Sequence, residues 1–75
     1  MKKGTIYVYS GDTVTLPKYV NVTKIGKGIH TNCLGRDLDC LLIEYSKEMQ
    51  KDLLDAIMHN KSVHNWNLTK WEWGE

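Results

Sequence analysis

The length of the chain, 75 residues, is about half that of a typical domain, so a division into two domains is excluded and one domain over residues 1–75 is predicted. Hydrophobic residues make up 41% and charged residues 25% of the sequence, with a single proline, and this composition argues against disorder outside the termini. The net charge is +1, but residues 1–30 hold five lysines and one acid, whereas residues 31–75 hold five basic and eight acidic residues.

No segment approaches the roughly 20 apolar residues that a membrane-spanning helix needs. Lys2 and Lys3 precede a strand-like stretch and not the apolar region of a secretory signal. We therefore expect a cytoplasmic protein that does not bind membranes. We also expect that it needs no cofactor. In that compartment Cys33 and Cys40 are expected to be reduced thiols.

The first predicted strand covers residues 5–10, which are rich in β-branched and aromatic side chains. Gly11-Asp12 has glycine where a type II′ hairpin turn needs it, so residues 13–16 are predicted to return as a second strand. The predicted core side of this hairpin comprises Tyr7, Tyr9, Val14 and Leu16. Its other side comprises Ile6, Val8, Thr13 and Thr15.

The remaining elements follow from apolar runs and the residues that interrupt them. Residues 19–25 predict a third strand, ended by Gly26-Lys27-Gly28, and residues 29–39 predict a loop with a short extended piece. Residues 40–45 form a compact apolar run that predicts a central strand. Ser46 is a plausible N-cap for an amphipathic helix over residues 47–60. Residues 65–73 predict a last strand, with a bulge between Leu68 and Trp71.

This order, β-β-β-β-α-β, predicts an α+β fold: a mostly antiparallel sheet of four to five strands with one helix packed on one face. The opposite face lacks a helix to cover it. We expect that face, which would carry Ile6 and Val8, to be solvated or to contact another molecule.

The candidate binding residues are aromatic and basic. Trp66, Trp71 and Trp73 are the only tryptophans in a chain without phenylalanine. They either form the bulky part of the core or provide an aromatic platform for a base, a peptide or another subunit. Three basic side chains are the candidates for contacting an anionic group, namely Lys24, Lys27 and Arg36.

Other constellations favour ordinary structural roles. Gly26-Lys27-Gly28 could offer backbone amides to a phosphate, but a plain turn is favoured because no P-loop spacing is present. The set His30, Cys33 and Cys40 with His59 or His64 contains zinc-ligand residue types at spacings that match no known zinc motif, so no metal is expected.

Non-catalytic binding is the predicted activity, because no catalytic set is recognisable. In size and general character the chain is similar to small inhibitor or accessory proteins of phages and mobile elements, although no motif supports a named family. It would occlude a partner protein, or sequester a small anionic, nucleotide-like ligand between the subunits of a homo-oligomer. One alternative is a single-stranded nucleic-acid-binding module. Another is a small enzyme with a site shared across a dimer, built from His30, Cys33, Asp37 and Asp39.

Overall fold

The computed structural model of this protein describes residues 1–32, 34–69 and 71. It contains an antiparallel sheet of four strands with one helix, so the predicted α+β fold is confirmed. The strands are β1 (Lys2–Tyr9), β2 (Val20–Thr31), β3 (Asp37–Tyr45) and β4 (Val63–Asn67). A 3₁₀ turn, Lys47–Met49, leads into helix α1 (Gln50–Met58) between β3 and β4. Across the sheet the order is β2-β3-β1-β4.

Strand β3 occupies the interior of the sheet, as its apolar sequence predicts. It pairs with β1 on one side and with β2 on the other, and its residues from Leu38 to Ile43 are all buried. Because neighbouring side chains of a strand point to opposite faces, β3 supplies apolar residues to both faces of the sheet.

The helix side of the sheet carries the larger core. Ile6 and Val8 of β1 lie beside Leu41 and Asp39 of β3 and pack in the cluster that includes Leu53 and Ile57 of α1. The prediction that Ile6 and Val8 face away from the core is therefore wrong. Their partner strand is β3, whose register places them with the apolar residues beneath the helix.

The opposite face holds a second, smaller core. Tyr7, Leu38, Cys40 and Leu42 are buried there, and Tyr9 and Trp71 pack against them. Trp71 donates a hydrogen bond from its indole Nε1 to the backbone oxygen of Ile43, at 3.0 Å. Part of the face without a helix is therefore covered by an aromatic side chain that follows the last strand.

The predicted return strand over residues 13–16 is absent. Gly11 does adopt a positive φ of 90°, as a turn after β1 requires, but the segment that follows pairs with no described strand. The reason lies in the sheet order: β1 has β3 on one edge and β4 on the other, so neither edge remains for a hairpin partner.

Three other boundaries differ from the sequence prediction. Strand β2 continues to Thr31 and β3 begins at Asp37, so the loop between them is shorter than residues 29–39. Asn32 shapes that loop, because its side-chain oxygen accepts hydrogen bonds from the backbone N–H groups of Leu34 and Arg36. Strand β4 ends at Asn67, and its register shift lies opposite Tyr7 and Val8 and not after Leu68.

At the start of the helical region, Ser46 makes no side-chain cap to the backbone. Its hydroxyl instead bonds to the carboxylate of Glu48. The part of the chain that the structure describes contains no helix with the length and hydropathy that a membrane span requires.

Candidate binding groove

A groove of about 450 Å³ opens on the helix side of the sheet. Its floor is formed by strands β1, β3 and β2, and its wall by residues 12–18, which connect β1 to β2. Seven aliphatic side chains line it and define what is called here the apolar groove: Val8, Val14, Leu16, Val20, Val22, Ile25 and Leu41. No residue of α1 lines the groove, so it lies on the part of this face that the nine-residue helix leaves uncovered.

The side chains at the rim of the apolar groove are unusually exposed for their type. Val22 is 42% and Ile25 50% exposed, and Ile29, further along the same strand, is 38% exposed. Strand β2 lies at the edge of the sheet and, among the described residues, pairs only with β3. An apolar rim beside an unpaired strand edge is a common form of contact surface for other molecules.

One end of the groove is polar and is organised by Asp39, a residue that is only 6% exposed. Its carboxylate accepts hydrogen bonds from the Ser10 hydroxyl at 2.6 Å and the Gly28 backbone N–H at 2.8 Å, and Lys27 Nζ lies 3.5 Å away. The Ser10 hydrogen bond, with help from Gly28 and Lys27, lowers the pKa of Asp39 despite the opposing effect of burial.

The Gly26-Lys27-Gly28 segment is a bulge in β2 and not a free turn. The register of β2 against β3 shifts between Gly26 and His30, and Gly28 has a φ of 59°, which favours glycine. The backbone N–H of Gly28 donates a hydrogen bond to Asp39, so the anion that this segment binds is a carboxylate of the protein itself. The phosphate-binding interpretation therefore gains no support.

The two described tryptophans lie on opposite faces of the sheet. Trp66 pairs with Ile6 and packs against the helix-side core, whereas Trp71 packs against the second core, with Lys3 Nζ 4.3 Å from its ring centre. They do not form a common platform. Trp73 lies outside the described residues, so its predicted role stays a prediction.

The three basic candidates are not brought together either. Lys24 is opposite Leu42 in the register, which places it on the face of Trp71. Lys27 lies at the polar end of the groove beside Asp39. Arg36 stacks 4.2 Å from the Tyr9 ring and bonds to Asp12 at 3.0 Å, so its charge is paired within the chain.

A shallower cavity of about 320 Å³ lies on the face opposite the helix. Tyr7 meets His30 edge-on, with ring centres 4.8 Å apart, and the Tyr9 hydroxyl lies 3.0 Å from Nδ1 of His64. Within the described ranges no three His, Cys, Asp or Glu side chains are grouped to hold a metal, and Cys33 lies outside them.

The hypothetical catalytic set is also divided. Asp39 belongs to the helix side, because it pairs with Val8, whereas His30 contacts Tyr7 on the opposite face. Asp37 is exposed at the start of β3. The described members of the set therefore do not face one common point.

Sequence reasoning missed the apolar groove because none of its aliphatic residues stands out from a core residue by type. The local signal was the β-like sequence of residues 13–16, which supply Val14 and Leu16 to the lining of the groove. No protein-family model, curated protein sequence or solved structure shows significant similarity to this chain.

Proposed function

We propose that this chain is a non-catalytic protein-binding domain whose apolar groove receives side chains of a partner protein. The observation that carries the proposal is the exposure of Val22 and Ile25 at the rim of a groove of about 450 Å³. Filling such a groove removes aliphatic surface from water, which favours binding by roughly 25 cal/mol for each Å² buried. Occlusion of the partner's own contact surface would be the mode of action.

A small nucleotide-like ligand fits this groove less well than a protein segment. None of the described residues that line the groove is aromatic, so no ring of the lining would stack on a base. The three basic candidates are dispersed over the sheet, so they do not surround one common point where a phosphate could bind. A partner protein, in contrast, would cover both the groove and the exposed strand beside it, as protein interfaces of about 800 Å² per partner require.

The test is a selection from a displayed library of random twelve-residue peptides on the immobilised protein. Selected peptides are then measured against the Ile25→Asp variant, which places a charge at the rim of the groove. The matched control is Leu34→Asp, because Leu34 is also apolar, is 88% exposed and does not line the groove.

We expect Ile25→Asp to weaken binding by about tenfold or more, as for loss of an interface anchor, and Leu34→Asp to leave it unchanged. Circular dichroism of both variants checks that the fold is retained. Peptides that bind the two variants equally well, or a library that yields no binder, would refute the proposal.

A further inference from the structure

Residues 13–16 have the properties of a strand without a partner. Their sequence is Thr-Val-Thr-Leu, and exposure alternates along it: Thr13 and Thr15 are exposed, whereas Val14 and Leu16 are half-buried. In the described part of the chain, the backbone hydrogen bonds of this connection occur only on either side of the segment, from Asp12 N–H to Tyr9 and from Val20 N–H to Pro17. The peptide groups of residues 13–16 therefore remain available for pairing.

The segment also lies beside the apolar groove. Val14 and Leu16 form the wall of the apolar groove, while Val22 and Ile25 lie on the side of β2. A chain lying in the groove would therefore run alongside residues 13–16. An extended chain there could pair with their peptide groups and direct every second side chain towards the floor.

We propose that residues 13–16 are a docking strand, and that the groove takes an extended, acidic segment of a partner protein by strand pairing with them. This inference rests on the proposed function and specifies its occupant. Strand pairing gives affinity through main-chain hydrogen bonds, and the groove selects aliphatic side chains at alternate positions.

The edge of β2 is less suited to the same role. Its register against β3 shifts twice, between Val22 and Lys24 and between Gly26 and His30. Bulges and lysines are devices that keep a sheet edge from accepting another strand. The uncharged segment beside the groove, along which exposure alternates, is therefore the better template.

The acidic character of the occupant follows from the charges at the groove. Lys18 lines it and is exposed, with no ion-pair partner among the described residues. The Lys27 side chain is 80% exposed and only 3.5 Å from Asp39, so it can also reach an incoming carboxylate. Of the two acids of the groove, Asp12 pairs with Arg36, whereas Asp39 is buried and accepts hydrogen bonds from Ser10 and Gly28.

The pairing is tested with the peptides selected on the groove. Each peptide is resynthesised in two versions. One carries N-methyl groups on its odd-numbered residues, and the other carries them on its even-numbered residues. We expect one version to bind about tenfold or more weakly, because it removes the donors that face residues 13–16, and the other to bind nearly as well as the parent peptide. Hydrogen exchange should show new protection of the amides of residues 13–16.

The charge requirement is tested with Lys18→Gln and Lys27→Gln. Each should weaken binding by about two- to fivefold at low salt, and less at high salt, since exposed ion pairs are weak and screened. Lys51→Gln, on the exposed side of α1, is the matched control and should change nothing.

The outcomes separate this inference from the proposed function. Suppose that Ile25→Asp abolishes binding but neither N-methylated version loses affinity: the groove then binds proteins without strand pairing, and the docking strand is refuted. Exchange protection that appears only on β2 would refute the docking strand as well. If neither Lys18→Gln nor Lys27→Gln weakens binding, the acidic character of the occupant is refuted. A dimer in native mass spectrometry, with residues 13–16 protected before peptide is added, would assign the groove to a second copy of this chain and overturn the proposal.

Discussion

The two halves of the helix side of the sheet carry the same kinds of residue in different environments. Beneath α1, Ile43 is fully buried together with Leu53 of the helix, whereas on the same face of β2 Val22 and Ile25 remain about half exposed. The difference is the extent of α1, nine residues that cover one half only. An aliphatic residue on a sheet face is therefore a core residue or a contact residue according to what packs above it.

The largest effect that separates the two halves is expected from truncating the core beneath the helix. Leu53→Ala should lower the free energy of unfolding by about 2–5 kcal/mol, because it leaves a cavity in a fully buried site. Ile25→Ala should cost less than about 1 kcal/mol, since half of that side chain is already in water. Urea denaturation of both variants measures the difference. Equal costs would mean that the groove half is packed as firmly as the helix half.

The second largest effect is expected at the polar end of the groove. Asp39→Asn keeps the shape but weakens charge-assisted hydrogen bonds from Ser10 and Gly28, and should cost about 1–3 kcal/mol at pH 7.

The pH dependence of this site has a definite sign. Because the pKa of Asp39 is lowered on folding, its stabilisation is fully present above the usual carboxyl pKa of 3.8 and is lost as the pH falls through the lower folded value. The wild type should therefore lose more stability than Asp39→Asn between pH 5 and about pH 2. Parallel unfolding curves over that range would contradict this assignment.

A smaller effect is expected within the packed half. The Tyr45 hydroxyl donates a buried hydrogen bond of 2.7 Å to the backbone oxygen of Leu68, which joins β3 to the residue after β4. Tyr45→Phe removes the donor of this buried hydrogen bond, so we expect a loss of about 1–2 kcal/mol. Thermal unfolding followed by circular dichroism measures it. An unchanged melting temperature would mean that water or another donor replaces the hydroxyl.

The smallest effect is expected on the opposite face. Trp71→Phe retains most of the aromatic cover on the second core but loses the hydrogen bond to Ile43, and should cost about 0.5–1.5 kcal/mol. Intrinsic fluorescence follows the unfolding of this variant. Because Trp71 lies on the face opposite the groove, the substitution should leave the binding of groove-selected peptides unaltered. A loss of peptide binding would show that the two faces are coupled.

The sequence predicted the elements better than their pairing. Residues 40–45 were expected to be an interior strand because they form a compact apolar run, and the amphipathic pattern after Ser46 correctly indicated a helix. These signals are local. The hairpin over residues 5–16 was wrong because its turn signal could not show that β3 and β4 would take both edges of β1.

The site was harder to predict for the same reason. Tryptophan and lysine stand out in a sequence, but Trp66 and Trp71 are separated by the sheet, and this separation depends on where the chain turns after β4. Val22 and Ile25 differ from core residues only in what lies above them. Pattern alone carries no information on the length of α1 relative to the sheet it covers.

The sheet order has a consequence for the chain during its synthesis. Strand β1 is made before both of its partners: β3 ends 36 residues after Tyr9, and β4 comes later still. At about 5–20 residues per second, the aromatic and β-branched stretch of β1 waits roughly 2–7 s for its first partner. Such stretches aggregate readily when unpaired, and flanking charges suppress this. Lys2 and Lys3 before the stretch, and Asp12 after it, are placed to act as such gatekeepers until β3 emerges.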